Sequence, residues 1–173
     1  MTSRVEIARA QAVAILAEHG IVSLPVPVEK IAKARNIAVQ FSPFDQELSG
    51  MALIKDGLSV IGVNALHHPN RQRFTIAHEL GHHVLHQALI DGTVHIDKGF
   101  AMLKRDEEAA QGTNLIEVEA NAFASELLMP KQFIDQIVDI ASMDIDDEAG
   151  MKALAKRFRV SVAAMQNRLS AFA

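Results

Sequence analysis

His78 and His82 stand four residues apart, with Glu79 beside the first, in the run Arg73-Phe-Thr-Ile-Ala-His-Glu-Leu-Gly-His-His-Val-Leu-His86. Phe74, Ile76, Ala77, Leu80, Val84 and Leu85 recur at roughly helical spacing, which predicts a helix. Residues four apart on a helix lie one above the other on one face. The two imidazoles can therefore serve one ion, the arrangement of a zinc-binding H-E-x-x-H helix. Glu79 sits about 100° round from His78, near enough to reach a water on the metal without being a ligand. A general base beside a polarised water is the chemistry of metal-assisted hydrolysis.

The plain alternative is a chance match or a solvated histidine face, because the chain carries 8 histidines. Two features weigh against it. Gly81 inside a helix costs about 1 kcal/mol relative to Ala, so its presence points to a close backbone approach. The motif also lies in an apolar helix, where histidines without a partner are costly to bury.

A third ligand is needed. The metzincin pattern fails, since its glycine position is Leu85 and its last histidine position is Ala88. A carboxylate from a second helix is the other solution. The segment Asn114-Leu-Ile-Glu-Val-Glu-Ala-Asn-Ala-Phe-Ala-Ser-Glu-Leu-Leu-Met-Pro130 offers one. Ile116, Ala120, Phe123, Ala124, Leu127 and Leu128 mark its buried stripe, with Asn114 as N-cap and Pro130 as stop. Glu117 and Glu119 both qualify by type and point about 160° apart. Glu117 shares its face with Asn121, whose amide can hydrogen-bond a ligating histidine. Glu119 has no companion at that spacing, so Glu117 is the choice.

These two motifs together resemble the ImmA/IrrE family of zinc endopeptidases. The likeness extends to Pro25-Val-Pro-Val-Glu-Lys-Ile-Ala32 and to Leu154-Ala-x-x-Phe-x-Val-Ser-x-x-Ala-Met-x-x-Arg-Leu169. The resemblance implies a gluzincin-like site with His78, His82 and Glu117 on zinc and Glu79 as base. It also implies proteolysis of a helix-turn-helix transcriptional repressor, which nothing in the composition shows.

The chain of 173 residues is long enough for a substantial core, and is expected to form one domain over residues 1–173. Apolar residues make up 49% and aromatic residues 5%, so aliphatics, Met and Phe must build that core. A net charge of −4 argues against nucleic acid as the main partner. The absence of cysteine leaves His and carboxylate as the strong metal ligands. No apolar leader or membrane-length run is visible, which gives the expectation of a cytoplasmic protein with no membrane partner.

The remaining elements must position the two metal helices. Residues 3–19 read as an amphipathic helix with Ser3 and Glu6 as a capping box and Gly20 as stop. Val28 to Arg35 reads as a shorter helix, and Ile37 to Phe41 as a strand. Leu48–Lys55, Asp56-Gly57 and Leu58–Asn64 form a hairpin with a type I′ turn signal. An exposed edge of that sheet beside the metal could take an extended peptide by strand addition. His67 and His68 could reach the cleft as oxyanion donors, whereas His86 reads as an interior or cleft-edge residue. With no tyrosine in the chain, the oxyanion donor is left open.

Residues 91–114 read as an irregular connection between the metal helices, a gate or a plain insertion, with His95 on the surface. Gln132 to Ile140 reads as a short helix, and Asp144 to Glu148 as the acidic start of another. Residues 146–170 have a helix-turn-helix outline, yet the acidic chain argues for packing or docking there rather than DNA binding. The expected fold is α+β and zincin-like, a small sheet with a hairpin against the H-E-x-x-H helix, with several helices around it. The expected activity is zinc-dependent peptide hydrolysis. Its rival is a metal-binding, antitoxin-like interaction module without turnover.

Overall fold

A computed structural model describes residues 2–97, 107–137 and 147–172. Within them lie eight helices and a four-stranded sheet, the α+β composition expected.

Helix α1 (Arg4–Glu18) begins with the anticipated capping box: Ser3 Oγ accepts from the Glu6 amide at 3.2 Å, and Glu6 Oε2 accepts from the Ser3 amide at 2.7 Å. Ala8, Ala12, Ile15 and Leu16 form its buried face. Gly20 follows with φ +61°, the left-handed conformation that ends the helix. Helix α2 (Val28–Ala34) leads into strand β1 (Ile37–Ser42).

Strands β2 (Gly50–Lys55) and β3 (Leu58–Asn64) form the hairpin, with Lys55 opposite Leu58. Asp56 and Gly57 both have positive φ (51° and 77°), as a type I′ turn demands. Strand β1 pairs in parallel with β3, and a further strand, β4 (Val94–Asp97), pairs antiparallel with β2. The order is thus β1-β3-β2-β4. The edge of β2 that the hairpin alone would expose is covered by β4, and β4 becomes the rim of the sheet.

Helix α3 (Pro69–Leu85) starts four residues earlier than the apolar pattern of Arg73–His86 shows, because Pro69 suits a first turn and His68 caps it. The short α4 (Gln87–Ile90) turns the chain toward β4. Helix α5 (Glu107–Leu128) is the longest element and lies against both α1 and α3. It begins well before Asn114, so Asn114 is inside the helix and is not its N-cap. The supposed irregular stretch of 91–114 therefore contains β4 and the start of α5; its residues 98–106 lie outside the described residues.

The core forms where these layers meet. Ile76, Ala77 and Leu80 of α3 pack with Phe123, Ala124 and Leu127 of α5, beneath Ile61 and Val63 of β3. Gly81 lets the two helices approach: a Cβ there would stand 3.1 Å from Phe123 Cδ1 and 3.3 Å from Ala120 Cα. Burial of large apolar side chains at this junction contributes roughly 1.5–3 kcal/mol each.

Helix α6 (Lys131–Ile137) follows Pro130, and residues 138–140 of the expected helix lie outside the described residues. Helix α7 (Glu148–Phe158) is capped by Asp147, whose side chain accepts from the Ala149 amide; Asp144–Asp146 of the acidic run are not described. Helix α8 (Val162–Ser170) is capped by Ser161. The turn between them uses Arg159 in the left-handed conformation. Asn70 Nδ2 donates to the Val160 carbonyl at 2.9 Å, which ties this turn to the first turn of α3. Arg168, in the Leu154–Leu169 stretch, is a buried residue. No helix among the described residues is long and apolar enough to cross a membrane.

Candidate metal centre

The two helices bring together the residues that spacing singled out. His78 and His82, one turn apart on α3, place their Nε2 atoms 3.1 Å from each other. Glu117 of α5 reaches across, with Oε2 3.0 Å from His78 Nε2 and Oε1 3.5 Å from His82 Nε2. Ligand atoms of all three lie within 4.8 Å of one another, close enough to share one cation.

The hydrogen bonds around the rings decide which nitrogen faces inward. Asn121 Oδ1, one turn beyond Glu117, lies 3.0 Å from His78 Nδ1 and can only accept. In the neutral ring that ligation requires, the His78 proton is therefore on Nδ1, and the Nε2 lone pair points toward Glu117. His82 Nδ1 lies 3.1 Å from His86 Nδ1, and His86 Nε2 lies 2.8 Å from Glu119 Oε2. Glu119 accepts from His86 Nε2, which leaves His86 Nδ1 to accept from His82 Nδ1. Both site histidines thus turn Nε2 lone pairs to the same point as a carboxylate. Three electron-rich groups meeting in a buried place fit a divalent cation.

Glu79 strengthens that fit. It is fully buried, and neither carboxylate oxygen has a hydrogen-bond partner among the described residues. A buried carboxylate left so is costly unless a charge or a water is meant to meet it. Burial pushes its pKa up to about 8, with His78 opposing and the charges of Asp97 and Glu117 adding. Protonated, His78 donates from Nε2 to Glu117: burial alone would lower it, but that bond and the nearby carboxylates raise it to about 9, so a cation must displace this proton. Burial brings His82 down to about 4 despite Glu117, since two imidazolium ions cannot stand this close. Glu117 resists its own burial: its bonds to His78, His82 and His95 hold its carboxyl well below the usual range.

Sequence reasoning missed the contribution of β4. His95 is not a surface residue. Its Nε2 lies 3.1 Å from Glu117 Oε1, its ring centroid is 4.0 Å from that of His82, and its side chain is 16% exposed. Two further groups of ligand atoms lie within 4.8 Å of one another, His95 with Glu79 and His82, and Asp97 with His78 and Glu79. The available signal was the alternation in Val94-His-Ile-Asp97, which puts His95 and Asp97 on one face of a strand. Register completes the placement, with His95 opposite Ala52 and Asp97 opposite Gly50.

The same holds for Glu119, which does have a companion in His86 and also lies 3.4 Å from Arg4 Nη1. His67 and His68 do not enter the site. His67 lies against Asn64 and the Gln46 carbonyl, and His68 caps α3. His83, next to His82, turns the other way to the Val60 carbonyl at 3.2 Å.

Three comparisons place these features among known proteins. The family model described as Peptidase_M78, IrrE N-terminal-like domain, matches residues 32–170. That span takes in the H-E-x-x-H helix, β4 and all of α5. A solved structure titled Mycobacterium tuberculosis transcriptional regulator shares the fold with a TM-score of 0.61 and 19% identity. The match covers 95% of this chain and 55% of that one, so the present chain spans little more than half its length. No curated protein matches the chain.

Proposed function

Because the chain belongs to the Peptidase_M78 family of IrrE N-terminal-like metallopeptidases, we propose that it is a zinc endopeptidase whose metal is held by His78, His82 and Glu117. The observation that carries this reading is the convergence of those three groups next to the buried, unpartnered carboxylate of Glu79. A His2Glu donor set with a neighbouring acid is the chemistry of catalytic rather than structural zinc. A zinc ion held there supplies a Lewis acid that polarises the scissile carbonyl and lowers the pKa of water.

The protein's own residues do the rest. Glu79 takes a proton from the attacking water and delivers it to the leaving amine, a transfer that needs a carboxylate free of other partners. Asn121 holds the His78 ring by its Nδ1 proton, and the His86–Glu119 pair does the same for His82. Strand β4, at the rim of the sheet, offers its outer edge for an extended peptide by strand addition.

The substrate we assign is a helix-turn-helix repressor, whose cleavage relieves repression in a mobile-element, toxin–antitoxin or stress response. The family resemblance supports that choice. Such a substrate places the enzyme in the cytoplasm. We treat residues 1–173 as one peptidase unit, since α1 packs on α5 and α8 is tied to the end of α5.

The deciding experiment compares zinc content and cleavage of a candidate repressor for the wild-type protein, Glu79→Gln and Glu117→Gln. Glu79→Gln is expected to keep its zinc and lose about 10²–10⁴-fold in rate. Glu117→Gln is expected to lose the metal. Retained turnover in Glu79→Gln would remove the assigned base. Tight co-elution with the repressor and no fragments from the zinc-loaded wild type would favour a docking module over an enzyme.

A further inference from the structure

A cavity of about 770 Å³ opens beside Phe74, between the first turns of α3 and the α7–α8 turn. Its floor is apolar, made by Phe74, Ala155, Val160 and Val162. Its rim is basic, since Arg71, Lys152, Lys156 and Arg159 all line it and are exposed. Among the described residues, no carboxylate lines it. This is against the trend of the chain, which has 21 acidic and 17 basic residues. Glu148 pairs with Lys152 at 3.2 Å, both ends exposed, and an exposed pair of this kind is worth little.

The cavity is joined to the metal centre through α3. Asn70, Phe74, His78 and His82 follow one another at intervals of four, so they lie along one ridge of the helix. The Phe74 ring is stacked on that of His78, with centroids 6.5 Å apart and planes inclined by 30°. Four helical residues rise about 6 Å, and an extended peptide covers that in roughly two residues. The cavity thus lies about one helical turn from the metal centre along α3.

We propose that this cavity is a docking site for an acidic, apolar-anchored segment of the polypeptide the enzyme cleaves. Apolar side chains of the segment fill the floor, and its carboxylates meet the four cations, so that charge selects the partner and the floor anchors it. A concave, apolar-floored site suits a peptide better than a nucleic-acid duplex, which needs a row of phosphate contacts across a convex backbone. The inference rests on the peptidase reading for why the occupant is a peptide.

The test measures docking without turnover, so it fails separately from that reading. The probe is a short fluorescein-labelled peptide of alternating Glu and Leu, followed by anisotropy on the Glu79→Gln protein. Two comparison peptides alternate Lys with Leu, and Glu with Ser. The Glu-Leu peptide is expected to bind, and both comparison peptides to bind at least about tenfold more weakly. Lys152→Glu combined with Lys156→Glu is expected to weaken the Glu-Leu peptide about tenfold at an unchanged melting temperature. Should that pair of changes disturb folding, Ala163→Glu serves instead, because it adds a carboxylate to the wall at an exposed first-turn position that tolerates one. Unchanged affinity in the folded variants, equal binding of the Glu-Ser peptide, or displacement of the probe by duplex DNA would each overturn the proposal.

Discussion

Glu119 Oε2 lies 2.8 Å from His86 Nε2, and through that ring it fixes the proton of His82. The carboxylate is thus two side chains away from the metal position yet decides which nitrogen of His82 faces it. Glu119→Gln keeps the shape but can present an N–H where His86 needs an acceptor. The expected result is a loss of about 10–100-fold in zinc affinity with little change in fold. Competition against a chromogenic chelator reads this directly. An affinity within twofold of wild type would mean that His86 and Glu119 form only a local pair.

Gly81 tests the helix junction. Alanine raises helix propensity by about 1 kcal/mol, so on local grounds Gly81→Ala stabilises the protein. The new Cβ, however, would stand 3.3 Å from Ala120 Cα and 3.4 Å from Ala120 O, against backbone that cannot swing aside. Overpacking of this kind costs about 1–3 kcal/mol, so a net loss of stability is expected. Zinc affinity should fall with it, because Glu117 lies one turn from Ala120 on α5. A higher melting temperature with intact zinc binding would show that the approach of α3 and α5 is less tight than the geometry states.

How far the sequence could be read follows from where its physical signals are strong. His78, Glu79 and His82 are legible because a helix turns fixed spacing into fixed geometry. Glu117 needed one more constraint, the matching position of Asn121. The hairpin was legible from Asp56-Gly57, since few residues tolerate positive φ at both turn positions. Strand β4 is four residues long and buries no large stripe, so its pairing with β2 is decided by tertiary contact alone. The early part of α5 was hidden for a related reason: Gly112-Thr-Asn114 reads locally as a break, and the packing of the later turns overrides it. His86 lies between α3 and α4 and Glu119 lies on α5, and no spacing rule joins them.

His95 is the polar group on β4 best placed to act on substrate. It sits beside Glu117 and over the His82 ring, at the edge where β4 would receive a peptide. In His95→Phe the ring packing survives and the N–H is lost. If His95 donates to the developing oxyanion, kcat should fall about 10²–10³-fold while zinc content stays constant. If zinc falls in parallel with rate, His95 is a ligand rather than a donor. Single-turnover rates and metal content measured on one preparation separate the two.

Arg168 and Glu126 are ion-paired in the interior, with Arg168 2% and Glu126 5% exposed. Arg168 Nε also donates to the Met129 carbonyl at 3.1 Å, and Glu126 Oε1 accepts from the Lys131 amide at 3.1 Å. The pair therefore clamps α8 to the end of α5, where the backbone turns into α6. Arg168→Met removes the cation and leaves a buried carboxylate with one amide for a partner. The expected destabilisation is about 3–5 kcal/mol. Combining it with Glu126→Leu removes the stranded charge, so the double variant should recover most of that loss even though it lacks the bond. Urea unfolding with saturating zinc measures both, and a constant slope against denaturant confirms that the same surface unfolds. A single variant that costs under about 1 kcal/mol would show that the clamp is dispensable. Glu117 lies nine residues before Glu126 on α5, so zinc affinity of the folded double variant should match wild type and mark the pair as structural.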